Sequence, residues 1–541
     1  MRLFPVIATT SLLLTAGCGT PREAATTGGA GPLDTLRTRA EASGYTETSR
    51  YAEVRAFLDA VAAASEDIHL TTFGETVEGR ALPLAVWGAP AATPEAVRAT
   101  GKTRVLVFAN IHAGEVAGKE ALLALLRDLA RGDFAAWADS LVLLAAPIYN
   151  ADGNERIAYD NRPLQLGPVG GMGTRTNAQG LDLNRDFTKL AAPESRALVG
   201  LMNAYDPHVV VDLHTTDGTL MAYHLTYAPP LHPNTPGEID EELWERWLPA
   251  VTEGAEVEAG WAFYHYGNVP GTFGEPVTVP RGWYSFDYRP RFGTNYAGLR
   301  NRFGILSEVY SYAPFDERVA ASRLFVEEVL DYAWEHAGRV RDLTEAADAA
   351  SVVGDTLAVR ATWAALLDPV EILLGAADTV YHPVTNEPML RRRDVRLPEA
   401  MPAFIRFEPT ETERAPAGYL VPAARTEVLD LLDAHGIRHR PAVAPATAEA
   451  FAIDSVSVAE RAFQGRRAVT LHGRWQPPQG VPDPAGEAYE YVPLNQPLGR
   501  LAFTLLEPRS DDGVVAWAVL PEEVLHAGSL YPIRRVHHPL P

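Results

Sequence analysis

Val105-Leu106-Val107-Phe108-Ala109 is an apolar run of strand length. It passes through Asn110-Ile111-His112-Ala113-Gly114-Glu115 into residues 116–129, where apolar residues recur at helical spacing. A buried strand feeding a helix is the unit from which α/β sheets are built. Outward from it the alternation continues. Residues 141–147 and 208–213 read as further apolar strands, and residues 195–205 and 322–336 as helices. Upstream, residues 69–73 and 82–86 read as strands joined by the turn-rich stretch 74–80. Residues 34–65 carry helical spacing through Tyr51, Val54, Phe57, Leu58 and Val61. Strands alternating with helices predict an α/β domain with a largely buried sheet.

At 541 residues the chain is too long for a single core, so at least two domains are expected. The pattern changes near residue 344. Short β-like runs at 357–362, 370–374 and 468–471 follow, between Pro- and Gly-rich turns, with one amphipathic helix at 427–435. The expected organisation is a catalytic-type α/β domain over 34–343 and a β-rich accessory domain over 344–541. The formal net charge of −22 repels phosphate backbones and argues against a nucleic-acid partner.

Residues 1–17 read as a signal segment, with a positive Arg2 and a short apolar run ending in Leu14-Thr15-Ala16-Gly17. Cys18 is the only cysteine, so an intrachain disulfide is excluded. The small residues before it resemble a bacterial lipoprotein box, in which that cysteine carries the lipid. Residues 18–33, rich in Gly, Thr, Ala and Pro, then form a flexible tether. The expected location is the bacterial cell envelope, anchored at the outer membrane or periplasmic face, or secreted. A plain secretory signal with an incidental Cys18 is the alternative.

Four segments carry chemistry. His112 and Glu115 stand three residues apart where a strand opens into a helix. His214 ends the apolar run Val209-Val210-Val211-Asp212-Leu213. Two imidazoles and one carboxylate form the His₂Glu set of catalytic zinc, with a fourth position left open. Taken singly, each element is also read as an ordinary polar residue at a strand or helix end. The loop from Arg175 to Phe187 contains Arg175, Asn184 and Arg185. A planar guanidinium matches a carboxylate such as a peptide C-terminus, or serves a structural salt bridge. Glu308 interrupts the apolar run Gly304-Ile305-Leu306-Ser307, where burial would raise its pKa toward the range of a general base; the alternative is a strand-edge Glu facing water. No Gly-x-Ser-x-Gly elbow is present.

In this order His112-x-x-Glu115, Asn150-x-Asp152-Gly153, Arg175 nine residues before Asn184-Arg185, His214 and Glu308 resemble the zinc metallocarboxypeptidases of the carboxypeptidase A, B and E type. The turn from Gly74 to Arg80 also resembles that family's early Gly-x-Ser-x-x-Gly-Arg hairpin, with Thr76 in place of Ser. The resemblance implies a carboxypeptidase-like mixed sheet flanked by helices. It implies one Zn²⁺ per chain on His112, Glu115 and His214. Glu308 would activate water and pass the proton to the leaving amine, Arg175 would stabilise the oxyanion, and Asn184 and Arg185 would hold the substrate's terminal carboxylate. Tyr284, Tyr288 and Tyr296 are candidates for the tyrosine that covers the substrate. The implied partners are peptide or protein C-termini. A zinc amidase acting on cell-wall peptides or acylated amino acids, and a non-catalytic binder of peptide ends, are the alternatives.

Overall fold

The computed structural model describes residues 31–272, 277–445, 447–477 and 488–540. The expected signal segment, Cys18 and most of the expected tether lie outside the described residues.

Among the described residues, nine strands belong to the first part of the chain: β1 Ile68–Glu75, β2 Ala81–Trp87, β3 Thr103–Ala109, β4 Leu141–Ala146, β5 Val209–Thr216, β6 Leu225–Ala228, β7 Phe263–His265, β8 Trp283–Tyr284 and β9 Phe303–Tyr310. All but β8 form one mixed sheet in the order β1-β2-β4-β3-β5-β9-β6-β7. Its centre, β4-β3-β5-β9, is parallel. Strands β3, β4 and β5 are buried along their whole length, because helices cover both faces. Leu213 and Asp212, adjacent on β5, point to opposite faces. On the Leu213 side lies the helix Ala117–Ala130. A Cβ on its Gly118 would come within 2.6 Å of the Leu213 Cβ, so only glycine permits this approach. On the Asp212 side lies the short helix Gly293–Leu299. His214 shares that face with Asp212.

Most sequence boundaries hold within a few residues, and the departures have local causes. The helical stretch expected over residues 34–65 is one full helix, Tyr51–Ala64, preceded by two single turns at Pro32–Thr35 and Arg39–Ala42. Thr38 opens the second turn by capping Glu41 N at 3.2 Å, and Glu41 answers on Thr38 N at 2.9 Å. The helix expected from residue 322 begins at Phe315, directly after Pro314, with Asp316 and Glu317 in its first turn.

The helix Ala337–Ala349 leads into the β-rich part. Four antiparallel strand pairs follow, with a four-stranded sheet and the helices Thr426–His435 and Gly499–Leu506. The two parts are packed together. Ala403–Phe404 pairs in parallel with β8. One hydrophobic cluster runs from Leu33 to Ile533 without a break at the junction. The buried His435 ring joins the parts: Tyr296 Oη lies 2.8 Å from its Nδ1 and Thr188 O lies 3.1 Å from its Nε2. Burial pushes that imidazole down to about 3, so it stays neutral. No helix among the described residues is long and apolar enough to cross a membrane.

Candidate active site

The site sits at the carboxyl edge of the parallel strands, where open α/β sheets place their ligands. Strand β3 ends at Ala109, and Asn110 turns the chain with φ of 67°. Its Nδ2 donates to Ala113 O at 3.2 Å, and Glu115 N donates to His112 O at 2.8 Å. This tight turn swings His112 and Glu115 to one side. Strand β5 brings His214, and β9 brings Glu308 as the residue paired with His214 in register.

His112, Glu115 and His214 are all buried, with one donor atom from each within 4.8 Å of the others. His112 Nδ1 is 3.0 Å from Glu115 Oε1. His214 Nδ1 is 2.9 Å from Glu115 Oε2 and 3.2 Å from His112 Nδ1. Both rings therefore turn Nδ1 toward the centre. Their Nε2 atoms turn outward to carboxylates: His112 Nε2 is 3.0 Å from Asp182 Oδ1, and His214 Nε2 is 2.8 Å from Asp212 Oδ2. Carboxylates behind imidazoles fix ring orientation and raise ligand basicity, the usual support of a metal-ligating histidine. Two imidazole nitrogens and a carboxylate in a buried cluster fit zinc in both number and type. Burial opposes charge on Glu115, but the His112 imidazole and the Arg162 guanidinium hold its carboxyl well below the usual range. Burial also opposes charge on His214, yet Asp212 and Glu115 raise its pKa well above the usual imidazole value. A proton held there must leave when a metal binds, so affinity weakens as pH falls.

A cavity of about 130 Å³ opens on this cluster, and Arg175, Asn184, Arg185 and Glu308 all reach it. Glu308 is partly accessible through the cavity. Dense packing around it, reinforced by Glu115 and Asp212 and opposed by His214, pushes its carboxyl up to about 8. Arg175 donates from Nε to Asp182 Oδ2 at 3.0 Å. The Asn184 side chain spans the site, with Nδ2 3.3 Å from His214 Nε2 and Oδ1 accepting from Gly293 N at 2.9 Å. The Arg185 guanidinium lies 3.9 Å above the Phe292 ring.

The remaining motif segments are scaffold. Asp152 is buried and accepts from Thr76 Oγ1 at 2.6 Å, Arg80 Nη1 at 2.6 Å and Glu78 N at 2.9 Å. The β1–β2 turn is thereby fastened to the Asn150–Gly153 segment. Asn150 Nδ2 reaches both Ile111 O and Arg175 O at 3.3 Å, tying the His112 loop to the arginine loop.

The three candidates for the covering tyrosine are engaged elsewhere, and none lines this cavity. Tyr288 donates to Asp511 Oδ2 at 2.6 Å, Tyr296 is bonded to His435, and Tyr284 stacks on Phe404 with its hydroxyl donating to Pro280 O at 3.1 Å. The tyrosine at the site is Tyr266. Asp182 and Arg162 also escaped the sequence reading. Asp182, two residues before Asn184 in an already suspect loop, was open to detection as a histidine partner; Arg162 stands in no motif.

Residues 54–246 match the family model described as zinc carboxypeptidase, Peptidase_M14. Over this segment the chain is similar to the zinc carboxypeptidases. The enzyme is a zinc-dependent hydrolase of peptide bonds, and the segment carries the three clustered residues able to hold one metal ion. Carboxypeptidase 2 of Trichophyton tonsurans is 25% identical over 484 residues, covering 85% of this chain and 81% of the relative. Carboxypeptidase 2 of Trichophyton equinum is 25% identical over 487 residues with the same shares. Among solved structures, a metallo-carboxypeptidase from Burkholderia cenocepacia aligns at 20% identity over 53% of this chain and 70% of that one, with a TM-score of 0.40. Carboxypeptidase A from Helicoverpa armigera aligns at 15% identity over 54% and 74%, also at 0.40.

Proposed function

We propose that this zinc carboxypeptidase removes residues one at a time from peptide C-termini, with Glu308 as general base and Arg185 and Asn184 as the carboxylate clamp. The observation that carries the reading is the register pair His214–Glu308. It fixes a carboxylate of raised pKa beside the metal cluster, in a cavity also lined by Arg185. His112, Glu115 and His214 would hold zinc, which would supply Lewis-acid polarisation of the scissile carbonyl and lower the pKa of water to about 7. Glu308 takes a proton from the attacking water as oxygen joins the carbonyl carbon. It then delivers that proton to the departing amine nitrogen as the C–N bond breaks. Arg175, held by Asp182, faces the oxygen on which negative charge develops. Arg185 and Asn184 hold the terminal carboxylate, and Phe292 under the guanidinium keeps Arg185 in place.

Peptides with a free C-terminus should release single amino acids, and the same peptides with an amidated C-terminus should resist. Equal rates on both forms, read by mass spectrometry, would remove the exopeptidase reading.

The lipid anchor on Cys18, and with it a place in the bacterial cell envelope, belongs to the same proposal. It is supported by the Leu14-Thr15-Ala16-Gly17-Cys18 pattern. Cys18→Ser should move the protein from the membrane fraction to the soluble one. An unchanged distribution would leave Cys18 without that role.

A further inference from the structure

Beside the catalytic cavity lies a second cavity, of about 200 Å³. One wall is the catalytic loop carrying Arg162, Leu164 and Met172. The other is the hairpin Ala377–Tyr381/Pro388–Arg392 of the β-rich part, through His382 and Met389. Arg162 lines both cavities.

The junction is built rather than incidental. Leu164 holds φ of 64°, a left-handed conformation that is strained for any side chain larger than that of glycine. The hairpin sustains it: Leu164 bridges Met389, and Leu390 N donates to Leu164 O at 2.9 Å. His382 donates from Nε2 to Val169 O at 3.2 Å, and its ring lies 5.1 Å from Tyr159. Tyr159 and Leu164 nevertheless remain 48% and 36% exposed at the cavity. Apolar surface left open beside a catalytic centre marks a binding site more often than a packing defect.

The direction follows from the two arginines. Arg185, over Phe292, marks the end of the catalytic cavity that takes the terminal carboxylate. Arg162 touches Glu115 at the metal cluster and opens onto the second cavity. A peptide with its carboxylate at Arg185 crosses the cluster and leaves past Arg162. The Arg162 Nε is buried against Gly114, which fixes the guanidinium between the two cavities.

We infer that the cavity between the 159–172 loop and the 377–392 hairpin is a subsite for a bulky apolar side chain of the peptide substrate, on the N-terminal side of the scissile bond. The β-rich part thus sets specificity, with Leu164 and Met389 as its determining residues. A volume of about 150 Å³ accepts a benzene ring, so an aromatic or long aliphatic side chain fits. This rests on the carboxylate-clamp reading for its direction.

The test uses the full chain, zinc-loaded, and N-blocked peptides with one common C-terminal residue. They carry Phe, Gly or Asp at each of the two positions before the scissile bond. Phe should exceed Gly in kcat/KM by about 10–200-fold at one of those positions. Met389→Glu, which places a charge in the cavity, should reduce that ratio to about threefold or less. Thr385→Trp, an exposed substitution that fills the cavity from its rim, should do the same and decides the matter if the first variant does not fold. A parent enzyme with no apolar preference at either position, or a preference that survives in the folded variants, overturns the inference. Amidated copies of the same peptides separate the two failures: equal cleavage of amidated and free forms defeats the clamp, while the Phe-to-Gly ratio reports on the subsite alone.

Discussion

Glu308→Gln is expected to lower kcat by roughly 10²–10⁴-fold, the range for loss of a positioned general base, with zinc content unchanged. The amide keeps the shape and half of the hydrogen-bonding capacity but accepts no proton. Packing favours the neutral form of Glu308 in the metal-free protein. A bound dication pulls the other way, since an adjacent positive charge favours the carboxylate. The sign of the pH effect is the same in either case. Only the deprotonated carboxylate accepts a proton, so kcat/KM rises with pH along an acid limb. Glu308→Gln should abolish that limb along with most of the rate. Measured pH–rate profiles of both proteins at matched zinc content check this. A parent-like rate in the variant would exclude Glu308 as the base.

Arg175→Ala is expected to lower kcat by about 10²–10³-fold, the loss seen when one donor to a developing oxyanion is removed, with a smaller effect on KM. The guanidinium is partly exposed in the cavity, pairs with Asp182 at 2.9 Å and stands 3.7 Å from Glu115. Charge develops on the carbonyl oxygen as the transition state forms, so the interaction is stronger there than with bound substrate. Arg175→Lys should recover little, because one ammonium does not reproduce a fork already committed on one side to Asp182. Steady-state kinetics on one free-ended peptide decide the matter. A variant that loses only KM would place Arg175 in ground-state binding.

The parallel centre of the sheet was legible because burial on both faces turns strands into near-continuous apolar runs, as in Val105–Ala109 and Val209–Val211. Strands β6 and β7 were not, at four and three residues, since such short segments show no period. The ligands were legible for a related reason. His214 and Glu308 are polar residues inside apolar strands, and His112 and Glu115 lie in the buried turn that follows another, where each demands a reason. Asp182 and Arg162 act through geometry that spacing does not encode: one reaches a ring 70 residues away, the other a carboxylate 47 residues away. Tyr284, Tyr288 and Tyr296 were candidates through the family resemblance, and nothing in their spacing separates them from one another. Folding spent Tyr288 and Tyr296 on contacts with the β-rich part and left Tyr266 at the cavity. The role of that part in walling the second cavity had no sequence signature, because it comes from contact between segments more than 200 residues apart.

Zinc content per chain, measured by elemental analysis of the purified protein and of His112→Ala and His214→Ala after dialysis against a weak chelator, tests the account most directly. One zinc in the parent protein and loss of most of it in both variants is the predicted result. Full occupancy in the variants, or a parent protein that hydrolyses peptides with no metal bound, would contradict it.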